Sequence, residues 1–181
     1  IRGEEWISST PKHIALYQAF GWNVPFFAHL SLLVNEQRQK LSKRHGDISL
    51  EDFKEKGYLV EALINFISFL GWNPGDEREM FTLKELEKEF TFKKVSKAPA
   101  VFNREKLNWY NKQYIIAMNP EELVDNALPF FIQHGLVNPE SIERDFLVRA
   151  VQLEQGRAVT LVDLVEALGF LFASSLIIEP E

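Results

Sequence analysis

The sequence contains no cysteine, which excludes disulfides and thiolate metal sites and leaves no clue to a redox compartment. No apolar run is long enough to span a membrane, so no membrane partner is expected. The four histidines, His13, His29, His45 and His134, are scattered without ligand spacing, so no metal site of the protein's own is expected. Overall basic charge is lacking as well. The formal net charge is −6, so a whole-chain basic footprint for nucleic acid is absent. The first residues, IRGEEW, hold neither methionine nor a signal-like segment. We therefore expect a fragment whose targeting information, if any, lies upstream.

What is present suffices for folding. A chain of 181 residues with 46% hydrophobic and 13% aromatic content can build one ordinary domain or two small ones. Charge is uneven along it. Residues 1–50 carry six Lys/Arg and four Asp/Glu, residues 51–119 carry eleven of each, and residues 120–181 carry three and eleven. The acidity thus belongs to the last third.

Helix signals dominate. Ser9-Thr10-Pro11 offers a threonine cap and a first-turn proline before KHIALYQAF, and Gly21 stops that helix. FFAHLSLLV, residues 26–34, reads as a buried strand and the loop leaving it. Ser49 can cap LEDFKEK, which Gly57 ends, and YLVEALINFISFL follows up to Gly71. Pro74 and Gly75 mark a loop, and Thr82 with Glu85 forms a capping box for LKELEKEF. VSKAPAVF reads as extended. Asn103, Asn119-Pro120, Asn138-Pro139 and Thr160 with Asp163 each open a further helix, the third of them covering much of 140–155.

Between the apolar run and Ser49 lies a basic knot, QRQKLSKRHGD. A Lys/Arg cluster is most often a solvated face. Three features point instead to phosphate. The knot follows directly on a strand-like run, and loops at strand ends in α/β sheets bind ligands. Ser42 lies between Lys40 and Lys43, so a hydroxyl and two ammonium groups can converge on one anion. Gly46 gives the loop a permissive backbone.

KLSKR resembles the KMSKS signature of class I aminoacyl-tRNA synthetases, in the form typical of glutamyl-tRNA synthetases. IRGEEWISSTPKHIALYQAFGW upstream, and RHGDISLEDFKEKGYLVEALINFISFLGW and FNREKLNWYNKQYI downstream, resemble the same family in the same order. The resemblance implies a mainly α fold with a small α/β part. Residues 1–38 would end the Rossmann-like catalytic domain. Residues 39–119 would hold the KMSKS-like loop and a stem-contact domain, and residues 120–181 would begin a helical anticodon-binding domain.

The resemblance also implies a chemistry: glutamate is activated with ATP and its Mg2+, then transferred to the 3' end of tRNA(Glu). Charge builds on the α-phosphate and pyrophosphate, where fixed cations help most. Lys40 and Lys43 would supply them. Ser42 and Arg44 would position loop and phosphates, and Leu41 would complete the ATP-contacting loop. Glu5 would lie by the nucleotide, and Leu33 would meet adenine through its backbone, though by pattern alone Leu33 is core. Arg2 would hold the glutamate substrate, since a guanidinium fork suits a carboxylate. Trp6 reads either as an active-site wall or, more simply, as a core aromatic. His45 is expected to be structural or on the loop surface, not a ligand or base. Lys93, Lys94, Lys97, Lys106 and Lys112 are candidate tRNA phosphate contacts, or ordinary solvated lysines.

The resemblance further implies a monomer in the bacterial cytoplasm, with a mitochondrial or plastid address open. The family's HIGH-like motif is missing from the sequence, so the isolated chain is expected not to aminoacylate. A non-catalytic tRNA-binding module of the same ancestry is the competing reading, and the intact KLSKR argues against it. A plain helical scaffold would not explain the ordered motifs.

Overall fold

The computed structural model describes residues 1–41, 49–140 and 143–172. Among these residues the protein is helical, with four strands of two residues each. The strands form two parallel pairs, β1 (Arg2–Gly3) with β2 (His29–Leu30) and β3 (Leu33–Val34) with β4 (Ala100–Val101). Helix α1 (Thr10–Ala19) follows a 3-10 segment over Glu4–Ser9. Then come α2 (Leu50–Glu55), α3 (Val60–Ser68), α4 (Leu83–Glu89), α5 (Arg104–Ala117), α6 (Pro120–Gln133), α7 (Arg144–Glu154) and α8 (Leu161–Leu168).

Several helix starts are set by capping boxes that the sequence announces. The Ser49, Thr82 and Thr160 side chains accept from the third-position amides of α2, α4 and α8, and Asp52, Glu85 and Asp163 reach back. Asn103 and Asn119 cap α5 and α6. Helix α8 buries Leu161, Leu164, Val165 and Leu168, the one-face spacing of a 3.6 period. Each such side chain contributes about 1.5–3 kcal/mol by leaving water.

Three expectations need correction. Residues 26–34 do not form a buried strand. They hold β2 and β3 with a break between, only Val34 is buried, and Phe26 is fully exposed. Each strand finds a single two-residue partner, too little cover to bury the run. Thr10 is not the cap of α1. Ser9 holds that position, and Thr10 is the first helical residue, its hydroxyl turned to other partners. Asn138-Pro139 makes a turn, with the Asn138 Oδ1 accepting from Glu140, and α7 begins only at Arg144. VSKAPAVF is strand only at Ala100–Val101, though Val95 also bridges Trp72.

The main core joins Leu59, Ala62 and Ile115 of the α3–α5 region to residues of α6, α7 and α8. Packing therefore continues across the turn at Met118 and Asn119. Buried amides tie the elements. Asn111 accepts from the Leu59 amide at 2.8 Å and donates to the Val159 carbonyl at 2.6 Å. Asn65 accepts from the Phe81 amide at 2.6 Å and donates to the Glu79 carbonyl at 2.7 Å. The Gln155 side chain donates to the Ile115 and Met118 carbonyls at 2.9 and 2.8 Å, occupying acceptors at the C-terminus of α5. Gly57, at φ +75°, accepts from the Leu161 amide at 3.0 Å. That contact fastens the end of α2 to the start of α8.

Candidate functional site

Two small clusters lie on the parallel strands. The first is built around Arg2. Parallel pairing sets Arg2 of β1 opposite His29 of β2, and the Arg2 Nε donates to the His29 Nε2 at 3.1 Å. Thr10 and His13, three residues apart on one face of α1, meet the other guanidinium nitrogens at 2.7 and 2.8 Å. The Phe27 ring lies 5.2 Å from the guanidinium carbon. Arginine can only donate, so His29 Nε2 and His13 Nδ1 must both be acceptors. That fixes the tautomer of each ring in its neutral form. Among the described residues no carboxylate forms an ion pair with Arg2, and all three side-chain partners are neutral acceptors.

The second cluster is the root of the basic knot. Lys40 bridges Val34 of β3, the Leu41 amide donates to the Leu33 carbonyl at 3.2 Å, and the Lys40 Nζ meets Glu5 Oε1 at 3.3 Å. The Glu5 carboxyl is held below the usual carboxylate range, first by a backbone amide hydrogen bond and then by Lys40. It curls back to where a Cβ on Gly3 would sit. The pair is exposed, so solvent and salt weaken it, and Lys40 can leave Glu5 at little cost.

The structure thus brings Glu5, Leu33, Lys40 and Leu41 together, while Arg2 lies on the other strand pair, β1 with β2. Ser42, Lys43, Arg44, His45 and Asp47 lie outside the described residues. Leu33 is 40% exposed rather than core, and it lines an apolar pocket of about 470 Å3. Leu30, Trp72, Phe90 and Phe92 line the same pocket. Trp6 is 51% exposed, which removes the core reading for that residue.

Of the lysines considered for tRNA phosphates, Lys106 pairs with Glu79 at 2.6 Å and lies over the Trp109 ring, and Lys94 donates to the Pro74 carbonyl. Lys93 and Lys97 are exposed and Lys112 half-buried. Sequence reasoning gave no site role to Thr10, His13 or His29. The i, i+3 spacing of Thr10 and His13 is visible in the sequence, but the register of Arg2 against His29 is not. No group of three or more metal-ligating side chains occurs among the described residues. No helix of the described residues is long and apolar enough to cross a membrane.

Residues 1–109 match the family model described as tRNA synthetases class I (E and Q), catalytic domain. That match runs through β4 and into α5. The chain is 44% identical over its whole length to a glutamate–tRNA ligase of Clostridioides difficile, covering 37% of that protein. It is 49% identical over 87% of its length to one of Chlorobium phaeobacteroides, covering 33% of it. Its fold matches 38% of a glutamate tRNA ligase from Elizabethkingia meningosepticum solved in complex with its amino acid. That match has a TM-score of 0.78 and 33% identity over 96% of the chain. The chain spans between a third and two fifths of the length of these relatives. With more than half its residues inside the catalytic-domain match, the chain belongs to the class I tRNA synthetases for glutamate and glutamine.

Proposed function

We propose that the protein works as a glutamate–tRNA ligase: it activates glutamate with ATP and passes it to the 3' end of tRNA(Glu). The observation that carries this is the root of the KLSKR loop, held on β3 with Lys40 beside Glu5. A loop anchored at the strand end and cationic along its length is suited to close on a polyphosphate. In this reading Lys40 and Lys43 stabilise the charge that grows on the phosphates, and Ser42 and Arg44 align the loop. Glu5, Leu33 and Leu41 face the nucleoside, and Arg2 receives the glutamate carboxylate. Magnesium enters with the ATP phosphates. Residues 39–119 would touch the tRNA stem, and residues from 120 onward would begin the anticodon-side helices. The all-helical α6–α8 region favours the bacterial or organellar type, and we take a monomer in the bacterial cytoplasm as its setting.

The test is charging of tRNA(Glu) with labelled glutamate. The full-length protein should glutamylate it in an ATP-dependent manner. The 181-residue chain alone should not, having no HIGH-like motif. Binding of tRNA without charging by the full-length protein would overturn the enzyme reading in favour of a non-catalytic module.

A further inference from the structure

The Arg2 cluster carries one step more, and it rests on the reading of Arg2 as the glutamate-binding residue. A guanidinium has five N–H donors. Three go to His29, His13 and Thr10. One N–H remains on each terminal nitrogen, the pair that a bidentate carboxylate requires. The three partners are neutral and come from two elements, His29 from β2 opposite and Thr10 and His13 from the first turn of α1. Thr10 is itself held, since its hydroxyl donates to the Trp6 carbonyl at 3.1 Å, lies 3.4 Å from the His29 Nε2 and offers a lone pair to Arg2. Phe27 borders the cation. The first turn of α1 contains no acidic residue and directs its partial positive end toward the same place. A half-buried guanidinium with neutral partners and no counter-ion among the described residues is prepared for an anion from outside.

We propose that Thr10, His13 and His29 are positioning residues. They hold the Arg2 guanidinium in one orientation, so that its two remaining N–H groups meet the substrate carboxylate, and they do so without neutralising it. A carboxylate in place of any of the three would compete with the substrate. A neutral acceptor orients Arg2 and leaves its charge available.

The experiment is steady-state glutamate-dependent ATP–pyrophosphate exchange, in the presence of tRNA, by the full-length protein. The variants are Arg2→Gln, Thr10→Val, Thr10→Ser, His29→Leu and His29→Gln. Thr10→Val and His29→Leu should each raise the KM for glutamate about tenfold, the effect of losing one hydrogen bond to a charged group, with kcat and the KM for ATP kept. Thr10→Ser and His29→Gln retain an acceptor and should stay near wild type. Rescue by these conservative changes separates positioning from a general loss of fold, which melting curves check independently. If Arg2→Gln raises the glutamate KM but Thr10→Val and His29→Leu do not, the positioning role is overturned and the Arg2 reading stands. If Arg2→Gln itself leaves the glutamate KM unchanged, the carboxylate site is wrong and both fall.

Discussion

Replacing Asn111 with leucine should cost the fold about 2–5 kcal/mol. Asn111 on α5 is fully buried and uses both ends of its amide. Its oxygen takes the amide of Leu59, a residue whose own side chain cannot cap α3. Its nitrogen gives to the Val159 carbonyl, one residue before the α8 cap. Leucine has nearly the same size, so no cavity opens and the change isolates hydrogen bonding. It strands one buried N–H and one half-buried C=O, each costing about 1–3 kcal/mol, with slight relief from added apolar contact. Against a total stability of about 5–15 kcal/mol, that is a large fraction. Urea unfolding followed by tryptophan fluorescence reads it directly. Asn126→Ala serves as the control, removing exposed hydrogen bonds to the Glu122 carbonyl and, weakly, to the Met118 sulfur, with an expected change within about 0.5 kcal/mol. An Asn111→Leu loss no larger than that of the control would refute the claim that this amide joins α3, α5 and α8.

Two further outcomes follow from the same packing. Gly57→Ala should cost more than Gly21→Ala, although both glycines have positive φ, +75° and +68°. At Gly21 the new Cβ meets nothing within 4 Å, so only the left-handed strain of about 1–2 kcal/mol applies. At Gly57 it would sit 2.7 Å from the Val162 backbone nitrogen, so α2 and α8 must also separate, and comparison of unfolding midpoints measures that difference. Burial pushes the Tyr114 phenol from its ordinary 10.0 up to about 12. The folded state therefore holds this proton more tightly than the unfolded chain. Tyr114 stabilises fully below pH 10 and loses that contribution as pH rises through about 12. Tyr114→Phe should flatten part of the alkaline fall in stability, and an unchanged alkaline profile would contradict the assignment.

Local chemistry made much of this fold readable, while long-range pairing hid the rest. Ser49, Thr82, Asn103 and Thr160 announce helix starts because a cap is a contact over two or three residues. The start of α7 was missed because Asn138-Pro139 satisfies the chemistry of a turn as well as that of a cap. The run at 26–34 misled for a different reason. Its apolar content states that the residues can be buried, whereas burial needs strand partners distant in sequence, and β3 finds its partner only at Ala100. The candidate site divides in the same way. Lys40 and Glu5 are legible through the KLSKR and IRGEEW motifs, and the ion pair between them is not. Arg2 is legible, but its three neutral partners depend on the register of β1 against β2 and on the angle at which α1 enters.

The central claim is that KLSKR handles phosphates, and Lys43→Ala in the full-length protein tests it most directly. Glutamate- and tRNA-dependent ATP–pyrophosphate exchange is the assay. A cation aimed at transition-state charge contributes roughly 2–4 kcal/mol, so turnover should fall on the order of a hundredfold or more while the KM for glutamate barely moves. Exchange at the wild-type rate would make the loop an ordinary basic surface and would contradict the account.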